Sequence, residues 1–172
     1  ISYSSDLKIV VIGNANTGKT SLINRYIKDK FVNSYKATVG SQFEYKIVEI
    51  NGTVFRVHFW DLGGQDRNPQ VTNLFSRDSH GVIILCEAGD DQSLQDTLEW
   101  KTNVQENNNN NLAVILIENK SDLIQGGDEF GIQKIKDFAT ENGFDGAFRT
   151  SAKTGYGVNE ALNSLFNTII EN

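Results

Sequence analysis

Lys19 and Thr20 close the stretch "GNANTGKT" (13–20), a GxxxxGK[ST] spacing that directly follows the apolar run "LKIVVI". An ammonium placed there can reach the β and γ phosphates of a nucleotide. Gly18 permits close approach of the backbone, and the amides of residues 14 to 20 point inward at a helix start. The phosphate-contacting set is therefore Asn14, Ala15, Asn16, Thr17, Gly18, Lys19 and Thr20, with Ser21 beside them. A hydroxyl at Thr20 is suited to ligate Mg²⁺. A plain strand-to-helix turn would account for Gly13 and Gly18 but gives no reason for a lysine followed by a hydroxyl. Asn14, Asn16 and Thr17 are expected to contribute backbone amides, leaving their side chains free.

Two further loops bear on the base. "ENKSD" contains NKxD as Asn119, Lys120 and Asp122, and "TSAK" supplies Ser151, Ala152 and Lys153. A carboxylate at Asp122 can accept from both the N1–H and the exocyclic amine of guanine, whereas adenine offers neither donor. Sites built on buried polar pairing reject an analogue lacking the donors by about 10⁴ to 10⁵. "FWDLGGQD" adds Asp61, positioned to hold Mg²⁺ through water, Gly64, whose amide can meet a γ-phosphate, and Gln65, which can orient an attacking water. "FVNSYKATVG" adds Thr38 as a second Mg²⁺ hydroxyl and Phe31 as an apolar cover for the base. Loss of the γ-phosphate would remove ligands from Thr38 and Gly64, so both loops should relax together.

These residues need strand ends and helix starts to hold them. "LKIVVI" (7–12), "GVIILC" (81–86) and "LAVILI" (112–117) are short apolar runs of the kind that form parallel strands covered on both faces. Apolar residues recur at helical spacing in "KTSLINRYIKD", "SLQDTLEWKTNVQ", "GIQKIKDFATEN" and "VNEALNSLFNTII". "FEYKIVEINGTVFRVHFWD" reads as an antiparallel hairpin turning at Asn51-Gly52. The order is β, α, hairpin, α, β, α, β, α, β, α: an α/β fold with a six-stranded, mostly parallel sheet, one antiparallel strand, helices on both faces and ligand loops at the strands' carboxyl ends. "NNNNN" (107–111) reads as a solvated loop without function.

At 172 residues the chain fits one domain spanning 1–172, with a short disordered piece at 1–5 and a C-terminal tail lying outside the sequence. A net charge of -6 with scattered Lys and Arg argues against nucleic acid as a partner. A single cysteine, Cys86 in an apolar run, reads as a buried thiol in a reducing compartment. No apolar run reaches 18 residues and no secretory signal opens the chain, so a cytosolic protein is expected. His58 and His80 lack ligand-spaced partners and read as structural.

With the five motifs in order over the whole length, the chain resembles a small GTPase of the Ras superfamily, with a P-loop NTPase G domain. "TVGSQFEYK" and "FSRDSHG" are similar to the Rab branch, and "LEWKTNV" and "ATENGFDGAFRTSAK" to the Rabs serving lysosome-related organelles. The resemblance implies a GTP-binding switch of vesicle trafficking that hydrolyses GTP slowly, with Gln65 and Lys19 in catalysis and GTP/GDP and Mg²⁺ as cofactors. It adds Tyr35 to the nucleotide-binding set and implies Phe43, Trp60 and Phe75 as the aromatic trio that effectors read. Exchange factors, activating proteins, effectors, a lipidated tail and a place on the cytoplasmic face of an intracellular membrane are implied likewise.

Departures from that pattern are "WDLGGQD" where Rabs usually read WDTAGQE, a wording closer to the Arf branch, then Asn68 and Pro69, and Glu118 before Asn119, read as solvated. Ala15 stands where the superfamily often has glycine, its methyl near the γ-phosphate. "FVNSYKATVG" holds no arginine to act in cis, so intrinsic turnover on the order of 10⁻⁴ s⁻¹ is expected, with about 10³ to 10⁵ gained from a partner in trans. A nucleotide-holding scaffold without hydrolysis and an Arf-like GTPase stay open as alternatives. A small-substrate P-loop kinase has no use for NKxD.

Overall fold

The computed structural model describes residues 5–28, 41–62, 75–106, 108, 111–120, 122 and 129–171, with the side chains of 41–43, 129 and 130 outside that description. In chain order the elements are β1 (Ser5–Gly13), α1 (Lys19–Lys28), β2 (Ser41–Ile50), β3 (Thr53–Leu62), β4 (Gly81–Glu87), α2 (Asp91–Glu106), β5 (Ala113–Asn119), α3 (Glu129–Glu141), β6 (Gly146–Arg149) and α4 (Val158–Glu171). β1 starts at Ser5, so the expected N-terminal disordered piece does not include that residue. The helix expected after the hairpin lies mostly outside the described residues, of which 75 and 76 are helical.

The six strands lie in the order β2-β3-β1-β4-β5-β6. Every pairing is parallel except β2 with β3, as the Asn51-Gly52 turn predicts. Asn51 and Gly52 both take positive φ, 51° and 84°, the backbone that matches a tight hairpin to the twist of its strands. β4 and β5 are buried nearly throughout, which is why they read as unbroken apolar runs. β3 alternates: Phe55, Val57 and Phe59 are buried, with half-exposed residues between them.

Successive strand residues feed opposite cores. Ile9, Val11, Ile83, Leu85, Ile115 and Ile117 pack with α1 and α4 on one face, through Leu22, Tyr26, Leu162 and Phe166. Val10, Ile12, Val82, Ile84, Val114 and Leu116 pack with α2 and α3 on the other, through Leu94, Trp100, Val104 and Ile135. Strand ends and helix starts meet along one edge of this sandwich. Asp90 caps α2, its Oδ1 accepting from the Ser93 amide at 3.1 Å. α3 stops at Gly143 (φ 76°), where the Phe144 amide bonds back to Ala139 O at 2.9 Å, and the chain turns directly into β6.

Asn108 corrects the reading of the asparagine run as purposeless. Its amide nitrogen donates to Val104 O (2.9 Å) and Ser76 O (2.8 Å), and its oxygen accepts from the Ser79 amide (3.1 Å). It closes the end of α2 and ties in residues 76–79. The histidines have structural partners: His80 Nδ1 accepts from the Lys8 amide (2.9 Å), and His58 Nε2 lies 3.1 Å from Asp6.

Candidate nucleotide site

The loop 13–18 leaves β1 and enters α1 at Lys19. Gly13 sits at φ 151°, and a Cβ there would lie 2.6 Å from Leu85 O; at Gly18 (φ 91°) a Cβ would collide with the Asn119 amide. Both glycines are therefore required by close approach to the neighbouring strand ends. Lys19 is buried and donates to two carbonyls of its own loop, Asn14 O at 2.9 Å and Gly13 O at 3.2 Å. Burial lowers its pKa to about 8, against the opposing pull of Asp61 and with a small push from Lys120. An anion in the loop would reverse that shift.

Of the three loop side chains expected to be free, Asn14 and Thr17 are instead engaged. Thr17 is buried, its hydroxyl donating to Asn14 O at 2.8 Å. Asn14 bonds at both ends of its amide to α2: Nδ2 donates to Asp96 Oδ2 (2.7 Å) and Oδ1 accepts from Trp100 Nε1 (3.0 Å). Asn16 is exposed at φ 67°, and Lys120 Nζ donates to its carbonyl.

Beside the loop, Thr20 Oγ1 donates to Asp61 Oδ2 at the end of β3. Asp61 Oδ1 is buried without a hydrogen-bond partner among the described residues. Burial raises the carboxyl's pKa, partly offset by Thr20 and Lys19. A hydroxyl and an unsatisfied buried carboxylate oxygen side by side form a donor set that fits Mg²⁺, which takes few protein ligands and keeps water and phosphate oxygens. Among the described residues no cluster of three His, Cys, Asp or Glu offers a rival metal site.

The base loops are joined to the phosphate loop by Asn119. Its Nδ2 donates to Thr17 O (3.0 Å), while its Oδ1 accepts from Thr150 Oγ1 (2.9 Å) and the Ala152 amide (3.3 Å), all within the interior. Ser151 Oγ donates to Asp122 Oδ1 at 2.7 Å, orienting a carboxylate that is otherwise exposed. Lys120, at φ 63°, spans the site from Glu87 (3.2 Å) to the phosphate loop. Arg25 of α1 holds the third loop from behind, donating to Ala152 O (2.8 Å) and Lys153 O (2.7 Å).

Glu118 is not solvated, contrary to expectation. It is buried and pairs with Arg149 on β6 at 2.7 Å, the two side chains 8% and 10% exposed. The sequence could not show this, because the partners lie on neighbouring strands 31 positions apart. Arg25, Asp96 and Trp100 were missed for the same reason. Trp100 alone carried a signal, as a large aromatic on an amphipathic helix.

Of the aromatic trio, Trp60 and Phe75 are half-buried and in contact, ring centroids 5.7 Å apart, and the backbone register sets Phe43 opposite Trp60. The Phe43 side chain, Phe31, Tyr35, Thr38, Gly64 and Gln65 lie outside the described residues.

The Ras family model matches residues 8–171. The chain is 37% identical over 166 residues to the Ras-related protein Rab-32C of Dictyostelium discoideum, covering 96% of this chain and 74% of that protein. It is 33% identical to Rab-13 of Mesocricetus auratus (98% and 82% covered) and 32% identical to Rab-7L1 of Homo sapiens (96% and 83%). These matches favour the Rab reading over the Arf-like and scaffold alternatives, and family membership carries GTPase activity with it. The chain belongs to the Ras family of small GTPases, on its Rab branch, as a GTP-binding switch of membrane trafficking.

Proposed function

We propose that this site binds GTP and GDP with Mg²⁺ and hydrolyses GTP slowly, awaiting an activating protein in trans. The observation that carries the reading is Asn119, which binds the phosphate loop on one side and the two base loops on the other. Lys19, the amides of 14–20 and Ser21 receive the phosphates. Asp122, oriented by Ser151, accepts from the guanine edge, with Ala152, Lys153, Lys120 and Phe31 around the base. Thr20, Asp61 and Thr38 would hold Mg²⁺, which when bound neutralises charge building on the β and γ phosphates. Gln65 orients the attacking water, the Gly64 amide meets the γ-phosphate, Tyr35 joins the nucleotide-binding set, and Ala15 tunes the rate.

The chain acts as one G domain. Exchange factors and effectors read its two switch loops, effectors through Phe43, Trp60 and Phe75. A lipidated tail attaches it to the cytoplasmic face of an intracellular membrane, and the stretches "LEWKTNV" and "ATENGFDGAFRTSAK" support a place on lysosome-related organelles. An acidic chain of this kind has no nucleic-acid role.

Calorimetry with GDP and ADP tests the base assignment. GDP is expected to bind at least about 10⁴-fold tighter, and comparable ADP binding would sink the assignment. Single-turnover cleavage of GTP by the protein alone should run on the order of 10⁻⁴ s⁻¹. Gln65→Leu should prolong the GTP-bound lifetime; a change no larger than that of a surface substitution returns the scaffold reading.

A further inference from the structure

We infer that Asn14 is a positioning residue, held by a polar latch on α2, and that this latch sets how long the chain retains a bound guanosine diphosphate. The inference rests on the reading that the loop binds guanine-nucleotide phosphates.

The latch is chemically unambiguous. Trp100 Nε1 can only donate and the Asp96 carboxylate, when ionised, can only accept, so the Asn14 amide has one workable orientation, with oxygen on the indole and nitrogen on the carboxylate. Asp96 and Trp100 stand one turn apart, on the same side of α2. Gln92, one turn earlier, donates to the second carboxylate oxygen at 2.9 Å, so Asp96 is itself steadied. Trp100 is 8% exposed and packed in the second core, so it moves only with the helix.

The other half of Asn14 faces the chemistry. Its carbonyl accepts from Lys19 Nζ at 2.9 Å and from Thr17 Oγ1 at 2.8 Å. One residue thus couples the helix to the ammonium that meets phosphate: the side chain fixes the peptide, and the peptide places Lys19. The position calls for an amide. An aspartate would set its carboxylate against that of Asp96, and an alanine would leave both α2 partners without their bond.

Release of fluorescent GDP from the full chain, chased with excess unlabelled GDP and Mg²⁺, reads the latch. Asn14→Asp is expected to release GDP at least about tenfold faster, and Trp100→Phe about threefold faster. The exchange Asn14→Asp with Asp96→Asn swaps donor and acceptor and should return the rate to within about twofold of the parent. A purely structural defect would instead lower the melting temperature of the single variants in step with their faster release. Should Asn14→Asp fail to fold, Asn14→Ala and Trp100→Phe serve instead: each alone faster, the double no faster than Asn14→Ala. Rates within twofold of the parent in the single variants overturn the latch, as does failure of the swap in a protein melting like the parent. Absence of GDP binding by the parent itself overturns the nucleotide reading and the latch with it, a distinct result.

Discussion

The phosphate end and the base end of the site are each organised by an asparagine amide, and the two ties differ in kind. Asn119 is buried and satisfied mainly by backbone groups and a threonine, Thr17 O, Ala152 N and Thr150 Oγ1, so it welds one loop to another. Asn14 is half-exposed and reaches across to side chains of α2, one of them charged, so it ties a loop to a helix. A weld between loops fixes their spacing whatever the helices do. A tie to a helix passes on that helix's position.

Asn119→Ala should break the comparison most severely. It strands Thr17 O, Thr150 Oγ1 and the Ala152 amide in the interior, costing about 4 kcal/mol of unfolding free energy with loss of measurable nucleotide binding. Urea unfolding and calorimetry would check both; a loss under about 1 kcal/mol would mean the base end is held by other contacts.

Glu118→Ala should cost about 3 kcal/mol, because it leaves Arg149 buried without its carboxylate, whereas Glu118→Leu with Arg149→Met should come near parental stability. If the double replacement is as unstable as the single, the pair is more than a local clamp between β5 and β6.

Arg25→Met tests the brace from α1. It should cost about 2 kcal/mol and weaken GDP more through faster release than slower capture, since the loop holding Ala152 and Lys153 loses its backing. An unchanged release rate in stopped-flow measurements would remove Arg25 from the site.

The smallest effect concerns the same helix without touching either loop. Burial pushes the Tyr26 phenol up to about 12 from an ordinary value of 10.0. The folded value lies above the unfolded one, so this contribution is full below pH 10 and is lost as pH rises through 12. Tyr26→Phe should therefore gain about 1 kcal/mol relative to the parent by pH 11, seen in urea melts across that range. Parallel curves for the two proteins would contradict it.

The sheet was legible because strands covered on both faces must be apolar, and β4 and β5 show nothing else until their last residues. The strands run on past their expected ends to Glu87 and to Glu118–Asn119, and two of these polar residues, Glu87 and Asn119, touch the site. Gly13, Lys19 and Asn119 were legible because backbone approach and charge leave few residue types for those places. Asn14, Arg25, Asn108 and Glu118 were not. Each owes its function to a partner brought near by the fold, and a polar side chain in a loop or at a strand end looks the same in sequence whether it meets water or a neighbour.

Cys86 is the sole cysteine of the chain, 1% exposed, and burial raises its pKa well above the usual thiol range. Its sulfur is thus silent toward maleimides and disulfide reagents while the protein stays folded. A cysteine introduced on α2 or beside the phosphate loop would take a spin label or dye with no background, so the separation between these two elements could be followed through a full nucleotide cycle in an otherwise native protein.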